Sequence, residues 1–333
     1  MTPAVHSERL DNTRSMDLSI ICVNWNSLAY LRECIASVYR NTHGVSFEII
    51  IVDNASPEGG VETLKELFPE IVIVQSPENL GFARANNLGF KQASGECVLL
   101  LNPDTKLSTP AINVLLEALK LLPDAGIVGG KLLNTDLTVQ TAAIQKFPTI
   151  LNQLVSIEYL RLLWPGCPLW DIRPLFVKNG KPVKVEVIPG ACMLLRSAVF
   201  AKVGMFSEDF FIYAEDIDLN WKVKSFGLSN YYIEDAEIIH HGGMSSSKQK
   251  VSNWSTIMIC KAMLRYYYKN RSPLYGFLYR AAMGGAAAGR LLLLGMMFPF
   301  GDRTVIRTAS SKWNTVLKWA IGLRDRALAG DKR

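Results

Sequence analysis

The sequence predicts an α/β fold in which a parallel sheet is covered by helices. Near-continuous apolar runs recur and end in Asn or Asp, as strands buried on both faces do. Stretches with apolar residues every three or four positions lie between them, the pattern of helices packing one face on a sheet. The connections are short, and strand and helix alternate through roughly the first 130 residues, the order that builds a parallel sheet.

The first strand is LSIICVNWN, residues 18–26. Leu28, Leu31, Ile35 and Val38 then give one apolar face to a helix over 27–40. In FEIIIVDNAS a strand over 47–52 delivers Asp53 and Asn54 at its carboxyl end. A third cycle places a helix at 61–68, a strand at 71–75 and a helix from Gly81 to Ala93. The fourth strand, 96–101, ends in Asn102-Pro103-Asp104. In open α/β sheets ligands sit beyond the carboxyl ends of the strands, so Asn24, Asp53 and Asp104 should gather there. No G-x-G-x-x-G follows the first strand and no G-x-x-x-x-G-K-[ST] occurs anywhere, which disfavours a dinucleotide dehydrogenase and a P-loop nucleotidase.

Residues 145–187 are less regular, with Trp164, Pro165, Pro168, Trp170 and Pro174 close together. Such a long excursion reads equally as a lid, an acceptor wall or a plain insertion. The pattern sharpens at PGACMLLRSAVFAKVGMF, a strand and a short helix. The next helix opens with Glu215, Asp216 and Asp218, preceded by Phe210, Phe211 and Tyr213. One acid suffices to complement the positive end of a helix. Three acids behind an aromatic run suggest a walled site in which a carboxylate acts as a base. A last strand-like stretch, YYIEDAEIIHHGG, ends beside His240 and His241. Taken singly, Asp53 and Asp104 also read as turn formers. Carboxylates at the ends of separate strands can instead converge on Mg2+ or Mn2+ held against phosphates.

In the order VNWN, VDNAS, ENLGFARANNLG, LLNPD, PGACMLL, FFIYAEDIDL and HHGG, the motifs from about Leu18 to Ser247 resemble the inverting family 2 glycosyltransferases of GT-A fold, particularly their bacterial rhamnosyltransferase-like branch. The resemblance implies a Rossmann-like, mostly parallel sheet flanked by helices, and it implies roles residue by residue. Asp53, with Asn24 and Asn54, is similar to the segment that holds the base and ribose of a nucleotide-sugar donor. Gly81 and Arg84 lie in a run resembling the family's N-x-G-[FY] motif, where the glycine would permit close approach to the nucleotide. Asn102 and Asp104 stand where many relatives carry Asp-x-Asp; the first acid is absent, which leaves Asp104 as the main carboxylate for a metal. His240 is similar to the histidine that completes that site, with His241 at a more variable place. Asp216 is then the general base, and Glu215 and Asp218 position base or acceptor. Two departures bear on donor choice: Ser207 replaces an acid before Glu208, and Asn220-Trp221 is not the usual pair.

The implied reaction transfers a sugar from a nucleotide diphosphate, deoxythymidine-diphosphate rhamnose first and uridine-diphosphate sugars next, to a hydroxyl of a glycan or lipid-linked glycan in surface polysaccharide synthesis. A nucleotidyltransferase and a non-catalytic scaffold of GT-A shape remain as alternatives. The first lacks support in a glycine-rich basic loop after the first strand. Intact Asp104 and Asp216 argue against the second.

Charge divides the chain. Residues 1–254 hold 22 basic and 27 acidic side chains, whereas 255–333 hold 14 basic and 3 acidic. Gly276–Phe300 is apolar but interrupted by Arg280 and Arg290, each costly in the middle of a membrane span, at least about 2.5 kcal/mol. Lys312–Leu328 sets Trp313, Val316, Leu317 and Ala320 beside Lys312, Lys318, Arg324 and Arg326, the pattern of a helix lying on anionic lipid. A helical hairpin packed on the catalytic domain or across a homodimer is the other reading. Aliphatic runs point away from nucleic acid. The division expected is a flexible leader at 1–16, a GT-A domain at 17–250 and a basic, apolar helical region at 251–333. The six cysteines form no C-x-x-C pair, and the polar N-terminus lacks the apolar core of a signal peptide. Together they suggest the cytoplasm, with attachment to the inner face of the cell membrane.

Overall fold

The computed structural model describes residues 16–140, 146–155, 180–242, 253–299 and 301–323. Most of the expected leader, the Trp164–Pro174 excursion, the end of the HHGG motif from Gly243 and the last residues of the 312–328 segment lie outside the described residues.

The first half alternates as its sequence demands. Strand β1 (Leu18–Asn24) is buried at all seven positions and is followed by α1 (Leu28–Asn41). Next come β2 (Phe47–Asp53), a 3-10 turn (Val61–Thr63) running into α2 (Leu64–Leu67), β3 (Val72–Gln75), α3 (Gly81–Phe90) and β4 (Cys97–Leu101). In β1 and β2, Ile20, Cys22, Ile49 and Ile51 enter one core and Ile21 and Ile50 the other. That alternation is the two-residue period of a strand covered on both faces.

Beyond β4 the sheet becomes mixed. The chain adds β5 (Thr105–Leu107), α4 (Ala111–Leu121), β6 (Ala125–Leu133), α5 (Ile150–Val155), β7 (Val183–Val185), β8 (Cys192–Arg196), α6 (Ser197–Lys202), α7 (Glu215–Ser225) and β9 (Ser229–His240). The sheet order is β3-β2-β1-β4-β8-β6-β9-β5, with β7 also paired to β9. Strands β3, β2, β1 and β4 run parallel, whereas β8 is antiparallel to both β4 and β6. The strand order reverses between β1 and β4, the place where open α/β sheets leave a crevice. Two ladders bring polar residues together at this edge. Asn24 lies opposite Asp53 in β1·β2, and Thr105 lies opposite His240 in β5·β9.

Three long helices complete the described chain: α8 (Asn253–Asn270), α9 (Pro273–Met297) and α10 (Arg303–Ala320). Ser272 and Asp302 cap α9 and α10 through side-chain oxygens that accept backbone N–H groups, with Pro273 at the first turn of α9. The three helices share one core with the catalytic half: Tyr266, Tyr267, Tyr279 and Trp319 pack with Phe147, Val187, Phe210 and Ile217.

The two arginines that interrupt the apolar run of α9 turn inward. Arg280 donates to the carbonyls of Trp319 and Ala320 at the end of α10 (2.8 and 3.0 Å). Arg290 donates to the Leu154 carbonyl (2.9 Å) and lies over the Trp313 ring. The outer face of α9 therefore carries Leu274, Phe277, Leu278, Leu292, Leu293 and Met296 exposed, with no charge among them. No helix of the described residues is long and apolar enough to cross a membrane.

Candidate active site

Four chain segments far apart in sequence meet at the carboxyl ends of the central strands. Asn24 donates to the Asp53 carboxylate (Nδ2 to Oδ1, 2.8 Å) and accepts from Ser27 Oγ (3.0 Å), so the first strand end fixes the acid at the second. Asn54 is wholly engaged with the loop that opens α3. Its Nδ2 donates to Asn79 Oδ1 (2.9 Å), and its Oδ1 accepts from the Leu80 N–H (2.8 Å). Both asparagines are buried, and their bonds make them positioning residues for Asp53 and the 79–81 loop. Arg84 stands on the exposed side of α3.

Gly81 is required for a different reason from the one expected. Its φ is +76°, and a Cβ built there would lie 2.2 Å from the Phe211 carbonyl oxygen. The next N–H, that of Phe82, donates to that same carbonyl at 2.8 Å. The glycine thus admits the backbone of the segment leading to α7 and joins the 79–81 loop to the acidic helix.

The Asn-Pro-Asp turn follows β4. The β5·β9 ladder brings His240 back to it from far along the chain, and the His241 N–H donates to the Asp104 carbonyl at 2.9 Å. His240 Nε2 lies 3.4 Å from Asp104 Oδ1 and 3.4 Å from Asn102 Nδ2. Asn102 Oδ1 is buried with no hydrogen-bond partner. Gln140 determines which imidazole nitrogen is protonated. Its Nε2 donates to the His240 carbonyl (2.5 Å), which turns its Oε1 to His240 Nδ1 at 3.0 Å. Nδ1 therefore carries the hydrogen, and the Nε2 lone pair faces Asp104 and Asn102. One carboxylate and one imidazole nitrogen face each other here, donor types that suit Mg2+ or Mn2+, with the Asn102 amide nitrogen rather than its oxygen toward the imidazole; among the described residues no third His, Cys, Asp or Glu joins them. His241 departs from this cluster and packs its ring against Tyr30.

The acidic helix reaches the same edge through the loop before β8. Asn102 N–H donates to the Ala191 carbonyl (2.9 Å), and the neighbouring Gly190 N–H donates to Asp216 Oδ2 (2.9 Å). Asp216 Oδ1 accepts from the Ile217 N–H at 2.8 Å. Asn220, one turn on, holds that loop from both sides, accepting from Ile188 N–H and donating to its carbonyl. Tyr213 and Ala214, at φ +70° and +64°, turn the chain sharply into α7, a left-handed pair that non-glycine residues adopt only where the surroundings enforce it.

The two adjacent acids occupy different environments. Glu215 is buried with Oε2 unpartnered, and burial, with Asp216 beside it, pushes its carboxyl up to about 8. Burial raises Asp216 as well, but its two backbone N–H partners favour the carboxylate. Burial thus works against charge on both acids, and the backbone N–H partners of Asp216 make it the better placed of the two to carry a charge.

Asp218, expected to position base or acceptor, lies on the side of α7 that meets α8. It is fully buried and accepts from Ser207 Oγ and from Asn270 Nδ2 (2.8 Å), with Lys269 Nζ 3.3 Å away. Its helical position, two residues after Asp216, points it across to α8. Gln140 escapes a reading of the sequence, and so do the bonds made by Gly190 of the PGACMLL motif and by Asn220. A neutral amide or a glycine carries no spacing signature, and each acts through a partner distant in the chain.

Residues 19–204 match the model of glycosyl transferase family 2. The chain is 26% identical over 250 residues to an N-acetylglucosaminyl-diphospho-decaprenol L-rhamnosyltransferase of Mycobacterium tuberculosis, covering 71% of this chain and 80% of that protein. It is likewise 26% identical over 237 residues to a low-salt glycan biosynthesis hexosyltransferase of Haloferax volcanii, covering 70% of each. Two solved structures cover 96% of this chain: GalNAc-T7 with UDP, GalNAc and Mn2+, and a mannosyltransferase of Pyrobaculum calidifontis in complex with GDP-Man and Mn2+. Their TM-scores are 0.59 and 0.54 at 13% and 16% identity, and the likeness spans 58% and 89% of those chains. The fold is GT-A.

Proposed function

The chain belongs to glycosyl transferase family 2, and from that premise we propose that it moves a sugar, rhamnose in first place, from a nucleotide-diphosphate donor to a hydroxyl of a lipid-linked glycan, inverting the anomeric carbon. The observation that carries this reading is the meeting of Asp53, the Asn102–Asp104–His240 cluster and Asp216 at one sheet edge. The rhamnosyl choice and the lipid-linked acceptor rest on the mycobacterial relative.

Asp53, held by Asn24, receives the nucleoside end of the donor, and the Asn54-braced loop closes over it. Asp104 and His240 would hold a divalent metal ion, which would supply positive charge to the departing diphosphate. Asp216 accepts the proton of the attacking hydroxyl, its carboxylate held by the N–H groups of Gly190 and Ile217. Burial pushes Glu215 beside it toward its neutral form.

A panel of nucleotide sugars with Mn2+, Mg2+ or EDTA tests the reading. One donor is expected to turn over with metal and to stop in EDTA and in Asp104→Ala. Turnover of that donor at full rate in EDTA would remove the metal role of Asp104 and His240. Silence from all donors, with no thermal stabilisation by any nucleoside diphosphate, would remove the transferase reading of the site. Because Gln140 fixes the His240 tautomer, Gln140→Leu should weaken Mn2+ binding about tenfold, as loss of a partner to a metal-bound histidine does. Titration of Mn2+ by electron paramagnetic resonance in the presence of a nucleoside diphosphate reads this directly, and an unchanged titration would assign Gln140 to the fold alone.

The C-terminal helices place this chemistry at an anionic membrane surface. The uncharged outer face of α9 and the 14 basic against 3 acidic residues of 255–333 are complementary to anionic lipid. Leu292→Glu combined with Phe277→Glu should abolish flotation of the full chain with phosphatidylglycerol vesicles. Flotation equal to wild type would show that α9 is not the contact.

A further inference from the structure

A cavity of about 580 Å³ lies between residues 209–212, which lead into α7, and helix α8. Its volume is in the range that holds a small-molecule ligand, about 300–1,000 Å³. Phe211, Met258 and Tyr268 give it apolar walls, and Lys261 and Arg265 line it one helical turn apart on α8. Asp209 is the one acid among the described lining residues; Arg265 donates to the Asp209 carbonyl and lies 3.7 Å from its carboxylate, with Lys269 3.8 Å from the other carboxylate oxygen.

Two connections give the cavity a direction. On one side its wall is the donor-side loop's partner: the Phe211 carbonyl, which accepts from Phe82 and abuts Gly81, is five residues before Asp216. On the other side Tyr268 packs on Gly276 of α9, where an added Cβ would meet the tyrosine ring at 2.6 Å. The exposed apolar face of α9 begins beside that contact, at Leu274, Phe277 and Leu278. An occupant that meets Lys261 and Arg265 in the cavity can therefore continue as a long apolar chain along α9, while the wall residue Phe211 touches the 79–82 loop.

We propose that this cavity binds the polyprenyl diphosphate end of a lipid-linked acceptor, with the diphosphate at Lys261 and Arg265 and the first isoprene units against Phe211, Met258 and Tyr268. The proposal rests on the transferase reading and names where that reaction's acceptor is anchored. Bidentate guanidinium contacts suit phosphate oxygens, and the adjacent ammonium adds a second cation for the second phosphate.

Farnesyl diphosphate is the probe, with inorganic pyrophosphate and farnesol as its two halves, measured by calorimetry on the full chain at concentrations where the probe is monomeric. Farnesyl diphosphate should bind more tightly than either half. Lys261→Ala combined with Arg265→Ala should weaken it at least tenfold, and Tyr268→Ala should weaken it without changing pyrophosphate binding. Lys120→Ala combined with Lys202→Ala removes the same charge from exposed positions elsewhere and should leave binding at the wild-type value. Equal binding by the Lys261/Arg265 variant, or equal binding of pyrophosphate and farnesyl diphosphate, overturns the proposal. Thermal stabilisation by nucleoside diphosphates is read in parallel. If it persists while farnesyl diphosphate fails to bind, the cavity assignment falls and the donor site stands; if both fail, the transferase reading has failed first.

Discussion

Asp216→Asn is expected to lower kcat about a thousandfold while leaving donor binding near wild type, within the range of about 10²–10⁴ that a positioned base contributes. The amide keeps the shape and still accepts an N–H from Gly190 or Ile217 through its oxygen, but it cannot take a proton. Steady-state transfer and nucleoside diphosphate binding separate the two effects, and a variant that transfers at the wild-type rate would dismiss Asp216 as the base. Glu215→Gln is the informative contrast. Glutamine mimics the protonated carboxyl that burial imposes on Glu215, so transfer should survive at neutral pH. The same substitution has a signed effect on stability. The folded protein holds the Glu215 proton up to about 8, whereas an unfolded chain releases it near the ordinary value of 4.5. Between those limits the native state binds more protons, so wild-type stability falls as pH rises through the window. The melting temperature of Glu215→Gln should gain on wild type across that window and cease to gain above it. Parallel melting curves would show that Glu215 ionises normally.

Asp218→Ala is expected to destabilise the fold by about 3 kcal/mol, the lower end of what removing one partner of a buried ion pair costs. Asn270 and Ser207 would lose their acceptor, and Lys222 and Lys269 would keep their charges beside one another without it. Burial already pushes Lys222 down to about 8, and Asp218 is the charge that opposes the shift. Lys269 is partly in water, which keeps the expected loss at the lower end. Chemical denaturation checks the value; a loss under about 0.5 kcal/mol, the size of an ordinary surface substitution, would show that the buried aspartate is dispensable.

The parallel half of the fold was legible because its strands are buried on both faces and so written as unbroken apolar runs. Helix α1 and strands β1 and β2 fall within a few residues of their expected limits. The mixed half was less so. β5 is three residues long and β7 also three, too short for a two-residue period to register, yet β5 is what brings His240 to Asp104. In the site, charged residues announced themselves and their holders did not. Asp53, Asp104 and Asp216 stand out at strand and helix ends, whereas Asn220 and Gln140 act through bonds to residues 32 and 100 positions away. Asp218 shows a different limit: an acid in an acidic motif reads as chemistry, but the motif does not say which side of α7 it occupies. The arginines of α9 illustrate the same limit, since a linear run records that a charge is present but not the direction in which it points.

The bonds of Asp218 to Asn270 and Lys269 tie the base-bearing helix to a segment some fifty residues downstream. The C-terminal helices therefore cannot be treated as a removable anchor. Cutting the chain before α8 would strip Phe210 and Ile217 of the aromatic cluster that covers them and leave Asp218 without Asn270. A shortened protein that loses activity would thus report collapse of the α7 frame as readily as loss of the membrane. On the proposed membrane role, point substitutions on the outer face of α9 are the variants that separate localisation from catalysis, because they leave the bonds between α7 and α8 in place.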